Sequence, residues 1–167
     1  WVDLLRDNIG VRHSTFINCS AGYDGGAGYV VGNYGKLTNS HFINNTAALR
    51  GGAINYKQTP NNIIFNGNFI NNNAIYGGGI CFFEKIQNCV FNCEFNNNRA
   101  IEFGGAIIAD EGIIENASFK NNHARLGGAI NFLKNGNVTN SNFTNNKVNT
   151  KILSLPTSKP FLSYPSK

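Results

Sequence analysis

Methionine is absent from these 167 residues and charge is scarce, with Asp, Glu, Lys and Arg together making up 14% of the chain. A natural reading frame starts with Met, so a chain opening at Trp1 reads as an excised segment or a processed product. No run of about 18 apolar residues and no charged-then-apolar leader is found, so targeting has to be inferred from elsewhere. Acids are missing altogether from residue 116 onward, where seven Lys/Arg stand alone; the first 115 residues hold the other seven together with all nine acids. That basic end could meet an anionic surface, but its positives are scattered singly. With no basic and aromatic groove, the expectation is a solvated face and no nucleic-acid partner. Cysteine is sparse too. Cys19, Cys81, Cys89 and Cys93 form no CxxC pair and no ligand set with His13, His41 and His123. Free, half-buried thiols are expected, with no metal and no cofactor.

What is abundant is Asn (30), Gly (19) and Phe (13), which together supply turns and pleated apolar surface. These residues recur in register. Phe returns at 16, 42, 69, 95, 119 and 143, in steps of 24 to 27 residues. The last five, Phe42, Phe69, Phe95, Phe119 and Phe143, are each followed by F-x-N-N, placing Asn45, Asn72, Asn98, Asn122 and Asn146 at the fourth position. After Phe16 that position is Cys19. A small apolar residue follows five after each Phe (Ala21, Ala47, Ala74, Ala100, Ala124, Val148), and a glycine pair begins eight or nine after all but the last (Gly25, Gly51, Gly77, Gly104, Gly127). Upstream, an aliphatic lies five before the last five Phe (Leu37, Ile64, Val90, Ile114, Val138) and an Asn three before (Asn39, Asn66, Asn92, Asn116, Asn140).

A period of this length fits a leucine-rich horseshoe or a parallel β-helix. Leu is too rare for the first, and no window has helical apolar spacing. Short alternations such as Ile54 and Tyr56 around an outward Asn55 predict three short strands per repeat, closing one triangular coil. The expected fold is all-β: a right-handed, single-stranded parallel β-helix of about five to six coils, stacked about 4.8 Å apart. In that arrangement identical residues lie above one another. The Phe column becomes a stack in the core, and the Asn45 to Asn146 column a ladder whose carboxamides satisfy one another. Gly pairs suit tight corners with positive φ, and the following Ala a crowded wall. Residues 1–10 are expected to be an N-terminal cap or the remnant of a preceding coil, 11–150 the repeats, and 151–167 a Pro/Ser/Lys-rich tail or linker. Trp1, Leu4 and Leu5 are candidates to cover one end, and Ile152, Leu153 and Phe161 the other.

The paired motifs F-x-x-N and GGA[ILV], the latter at Gly51–Ile54, Gly104–Ile107 and Gly127–Ile130, resemble the repeats of chlamydial polymorphic outer membrane proteins. They are equally similar to large adhesin-like surface proteins of methanogenic archaea. The resemblance covers roughly residues 11 to 148. It implies a parallel β-helix, export to the cell surface or outside the cell, and an adhesive or coat role toward an unknown host-cell, cell-wall or glycan partner. Neighbouring repeats or an anchor domain would adjoin it in the native protein. Two copies depart from the motif, with Gly28 in place of the aliphatic and Gly79 in place of Ala.

Parallel β-helices also carry polysaccharide lyases and hydrolases, whose chemistry needs converging carboxylates. The one such cluster is Glu84, Asp110 and Glu111. Glu84 and Glu111 each fall seven after a glycine pair and should stack on adjacent coils, with Lys134 continuing the column. A surface charge cluster explains them as well, and no catalytic residue is expected. Asp24 with Arg50, and Glu102 with Arg125, should meet across one coil step as exposed pairs. Asp24 does not recur, so a calcium nonapeptide is not expected. The sequons at Asn18, Asn44, Asn116, Asn137 and Asn142 fit chance in a chain so rich in Asn. Tyr29, Ile43, Ile70 and Ile108 are outward candidates for contact. The reading is therefore a non-catalytic, adhesin-like scaffold. A carbohydrate-active enzyme and a self-assembling surface coat are the alternatives.

Overall fold

The computed structural model describes residues 10–32, 35–58, 61–83 and 88–149, and the backbone of 2–4. It is a parallel β-solenoid of about five turns, with strands and turns but no helix among those residues. Each turn contributes to three walls. The first wall holds the Phe column on Thr15–Ile17, Lys36–Ile43, Ile63–Ile70, Glu94–Asn96, Ser118–Lys120 and Asn142–Thr144, in register Phe16↔Phe42↔Phe69↔Phe95↔Phe119↔Phe143. Upstream on the same wall lie Gly10–Arg12, Asn88–Phe91, Gly112–Glu115 and Gly136–Thr139. The second wall is short, running Ser20–Ala21, Thr46–Ala47, Asn73–Tyr76, Arg99–Phe103, His123–Ala124 and Lys147–Val148. The third runs Val2–Leu4, Gly28–Val31, Ile54–Lys57, Ile80–Phe83, Ile107–Ala109 and Ile130–Phe132. Val2–Leu4 thus adds a strand beneath Gly28–Val31. Trp1, Leu5 and the 151–167 segment with Ile152, Leu153 and Phe161 lie outside the described residues.

Stacking follows from this register. The Phe rings are 4.8–5.0 Å apart between centroids and within 8° of parallel, a separation set by the strand spacing. Leu37, Ile64, Val90 and Ile114 form the aliphatic column beside them, and Tyr56 stacks on Phe82 from the third wall. Burial of these large side chains is the main source of stability. Phe95→Ala is therefore expected to cost about 3–5 kcal/mol, and Phe143→Ala, where the ring is 51% exposed on the last turn, far less. Urea unfolding of the two variants checks this, and equal losses would show that the stack does not hold the core.

The repeated Asn residues divide into three columns with two jobs. Asn39, Asn66, Asn92, Asn116 and Asn140 (φ 48–53°) and Asn44, Asn71, Asn97, Asn121 and Asn145 (φ 53–56°) sit in the left-handed region, which Asn tolerates better than other L-residues. The first set bends the first wall and the second turns the corner into the second wall. The third column is the ladder. Asn45, Asn72, Asn98 and Asn122 are buried, and each Nδ2 donates to the Oδ1 one turn on at 2.9–3.0 Å. Each Nδ2 also donates back to a Phe carbonyl one turn below, at 2.8–3.1 Å. At the base of the ladder, where Cys19 replaces Asn, its backbone N–H still donates to Asn45 Oδ1 at 2.9 Å.

A fourth column lies two residues before the Phe and varies in chemistry while staying small: Ser14, Ser40, Gly67, Cys93, Ala117 and Ser141. Backbone N–H groups donate across it to Ser40 Oγ, Cys93 Sγ and Ser141 Oγ at 3.1–3.3 Å.

Candidate functional site

Of the acids singled out from sequence, Asp110 and Glu111 lie among the described residues. Asp110 is half-buried and takes a charge-assisted contact from Lys134 one turn above, at 3.4 Å. Glu111 lies beside it, half-buried, at the rim of the third wall. Glu84 falls outside the described residues. Asp110 with Lys134 is an ion pair across one coil step, an arrangement that helps to set register.

The corner between the second and third walls is more elaborate. Asp24, Arg50 and Tyr76 occupy one bridged column, and Phe103 pairs with Leu126 higher on it. Two expected pairs form there: Arg50 Nη1 to Asp24 Oδ2 at 3.4 Å and Arg125 Nε to Glu102 Oε2 at 2.6 Å. The first departs from expectation in being largely withdrawn from water, with side chains 17% and 8% exposed for Arg50 and Asp24. The cause is the outer side of the third wall, which this corner covers. Asn55, expected to point outward, is buried and donates to Asp24 Oδ2 at 3.2 Å. Ile108, expected as an outward contact, is also buried, in a small external cluster with Cys81 and Phe83 against which Tyr76 and Phe103 lie. Arg50 caps the Phe83 ring at 5.2 Å and Arg125 the Phe103 ring at 5.5 Å, so each cation also closes the apolar cluster from above. Tyr29, Ile43 and Ile70 are half-buried. Burial also pushes the Cys81 thiol well up and Cys93 up to about 12, leaving both as protonated, poorly nucleophilic groups.

Burial likewise raises the Asp24 carboxyl above its ordinary 3.8, with Arg50 opposing. A carboxyl with a higher pKa in the folded than in the unfolded chain binds more protons when folded, so its contribution to stability falls as pH rises from 3.8 through the raised value. Unfolding measured across this range is expected to show that slope in the wild type relative to Asp24→Asn, which cannot ionise. Parallel pH profiles for the two proteins would contradict the raised value.

The outer face of the first wall holds a surface that sequence reasoning missed. One outward column reads Gly10, Lys36, Ile63, Cys89, Ile113, Asn137, and the next Arg12, Thr38, Phe65, Phe91, Glu115, Thr139. Ile63, Phe65 and Ile113 are 39%, 37% and 43% exposed, and Cys89 and Phe91 are half-buried between them. Five apolar side chains on three adjacent turns thus form one patch. Neither column keeps one residue type along its length, so alignment of the repeats does not single them out.

Among the described residues no group of His, Cys, Asp and Glu is placed to hold a metal, and no helix is long and apolar enough to cross a membrane. No curated protein and no solved structure matches the chain. A family model, the Chlamydia polymorphic membrane protein repeat, matches residues 39–57 and 92–110, each running from the wall-bending Asn through the Phe, the ladder Asn and the glycine pair into the third wall. The chain is thus a parallel solenoid in which two stretches match the Chlamydia polymorphic membrane protein repeat, and its stacked coils are consistent with repeats of that type.

Proposed function

We propose that the chain is a non-catalytic, surface-displayed segment of an adhesin-like protein, a stiff scaffold that presents its outer columns to a host-cell, cell-wall or glycan partner. The observation that carries this is the division of labour between columns. Those that repeat, the Phe stack, the Asn ladder and the glycine pairs, are spent inside the solenoid or in its corners, and the exposed columns vary freely along the rod. A rod of this kind keeps its partner-facing residues at fixed spacing, which favours many weak contacts over one deep pocket. The polymorphic membrane protein repeat supports the cell surface as its location. Beads coated with the purified segment are expected to be retained on cells or on a glycan array, and the same protein to leave polysaccharides uncleaved. Cleavage that is lost in Glu84→Gln/Glu111→Gln would overturn the reading in favour of an enzyme.

A further inference from the structure

The exposed patch on the first wall lies within an ordered gradient of charge. Arg12 and Lys36 occupy the two turns before it, and Glu115 the turn at its far end. The centre, Ile63, Phe65, Cys89 and Phe91, is uncharged. The sequence of characters along the rod is therefore positive, apolar, negative, within columns only one strand spacing apart per turn, about 4.8 Å.

We infer that this face docks a second copy of the chain, with the order of the turns inverted about a twofold axis that runs along the strands between the Phe65 and Phe91 turns. In that arrangement Phe65 meets Phe91 of the other copy and Ile63 meets its Cys89. Glu115 falls opposite Thr38, where Lys36 on the same turn and Arg12 on the adjoining turn flank it. The twofold repeats each of these contacts, so one patch satisfies itself, as an isologous interface must. With the turns in the same order, Lys36 and Arg12 would instead lie on the same level as their own copies, and like charges would oppose the contact.

A surface of this size is small beside the roughly 1,000 Å² of a stable complex, so association is reversible and concentration-dependent, and becomes appreciable where copies are crowded side by side. The inference stands apart from the adhesive reading, because it concerns copies of this chain alone.

Sedimentation equilibrium of the purified chain over a wide concentration range tests it. Wild type is expected to dimerise reversibly, more weakly at high salt. Phe65→Ser/Phe91→Ser and Glu115→Lys are each expected to weaken the dimer by about tenfold or more. Arg12→Glu/Lys36→Glu/Glu115→Lys, which exchanges the charges, is expected to restore it. Oxidised Thr38→Cys/Glu115→Cys is expected to give a cross-linked dimer, since the two positions lie three turns apart within one chain and opposite one another between copies. All of these positions are on the outer face, and circular dichroism checks that each variant keeps the wild-type fold. A chain that stays monomeric throughout, a dimer indifferent to Phe65→Ser/Phe91→Ser, or a charge exchange as weak as Glu115→Lys would overturn the inference. Monomeric wild type whose retention on cells is lost in Phe65→Ser/Phe91→Ser would overturn it too, and would assign the patch to a foreign partner.

Discussion

Gly105→Ala is expected to be strongly disruptive for a single added methyl, costing about 3 kcal/mol or more and shifting the urea midpoint accordingly. A Cβ at this position would run into the carbonyl oxygen of Gly128 and come within 2.6 Å of the His123 nitrogen. Both are backbone atoms of the next turn, so no side-chain rotation relieves the clash, and relief means separating two hydrogen-bonded coils. The same holds for Gly52, whose Cβ would meet Gly78 and Asn73 backbone, and for Gly26 against Gly52 and Thr46. Gly22→Ala is the control, because nothing lies within 4 Å of a Cβ there. Equal stability of the Gly105 and Gly22 variants would mean that the coils are not in the close approach described. The two members of each glycine pair thus have different reasons to exist. The first, at φ 61–65°, needs the left-handed region, and a Cβ there would also meet the carbonyl three residues on in its own turn; for the second, the clash is with the backbone of the next turn.

Asn98→Ala is expected to destabilise by several kcal/mol, at least as much as removing the Phe95 ring. Asn98 Oδ1 accepts from both the backbone N–H and Nδ2 of Asn72, at 3.0 Å each, and its Nδ2 donates to the Phe69 carbonyl and to Asn122 Oδ1. Truncation orphans two donors on Asn72 and the Phe69 carbonyl at once. Each orphaned buried group costs about 1–3 kcal/mol, less where relaxation lets neighbours share. Asn98→Asp separates shape from chemistry. A carboxylate keeps the acceptor for Asn72 but offers no N–H to Phe69 or Asn122, and its burial favours the protonated form. Its folded pKa then lies above the unfolded value of about 3.9, so stability is retained at low pH and lost as pH rises through the raised value. Denaturant titrations of Asn98→Asp near pH 4 and at pH 7 are expected to differ in that direction. A pH-independent deficit would show that the ladder site is open to water.

The fold was legible because a solenoid forces each turn to match the one beneath it, which wrote Phe42 to Phe143 and Asn45 to Asn146 as columns in the sequence. Features that depend on size alone were less visible. The column of Ser40, Gly67, Cys93 and Ser141 shares only smallness, and the buried link from Asn62 to Asn88, at 2.8 Å, has too few members to form a pattern. Strand alternation misplaced Asn55 and Ile108, because period-two reasoning assumes that one side of a sheet faces water; here the corner carrying Arg50, Tyr76 and Phe103 folds over that side. The apolar patch around Phe65 was hidden for the opposite reason. Outer columns have no neighbour to match, so the residues that could meet a partner are those the repeat leaves unconstrained.

The ladder also has a direction. Every amide-to-amide bond in it runs the same way, from Nδ2 of one turn to Oδ1 of the next, starting from the Cys19 backbone N–H and reaching Asn146. Aligned amide dipoles of this kind reinforce one another, as peptide units do along a helix. The described ladder is therefore polar, and its two ends are chemically unlike: the backbone N–H of Cys19 opens the chain of amides, and the Asn146 carboxamide stands at its other end. A further turn added beyond Asn146 would continue the series by presenting an acceptor in the same column, whereas one added before Cys19 would have to start a new series.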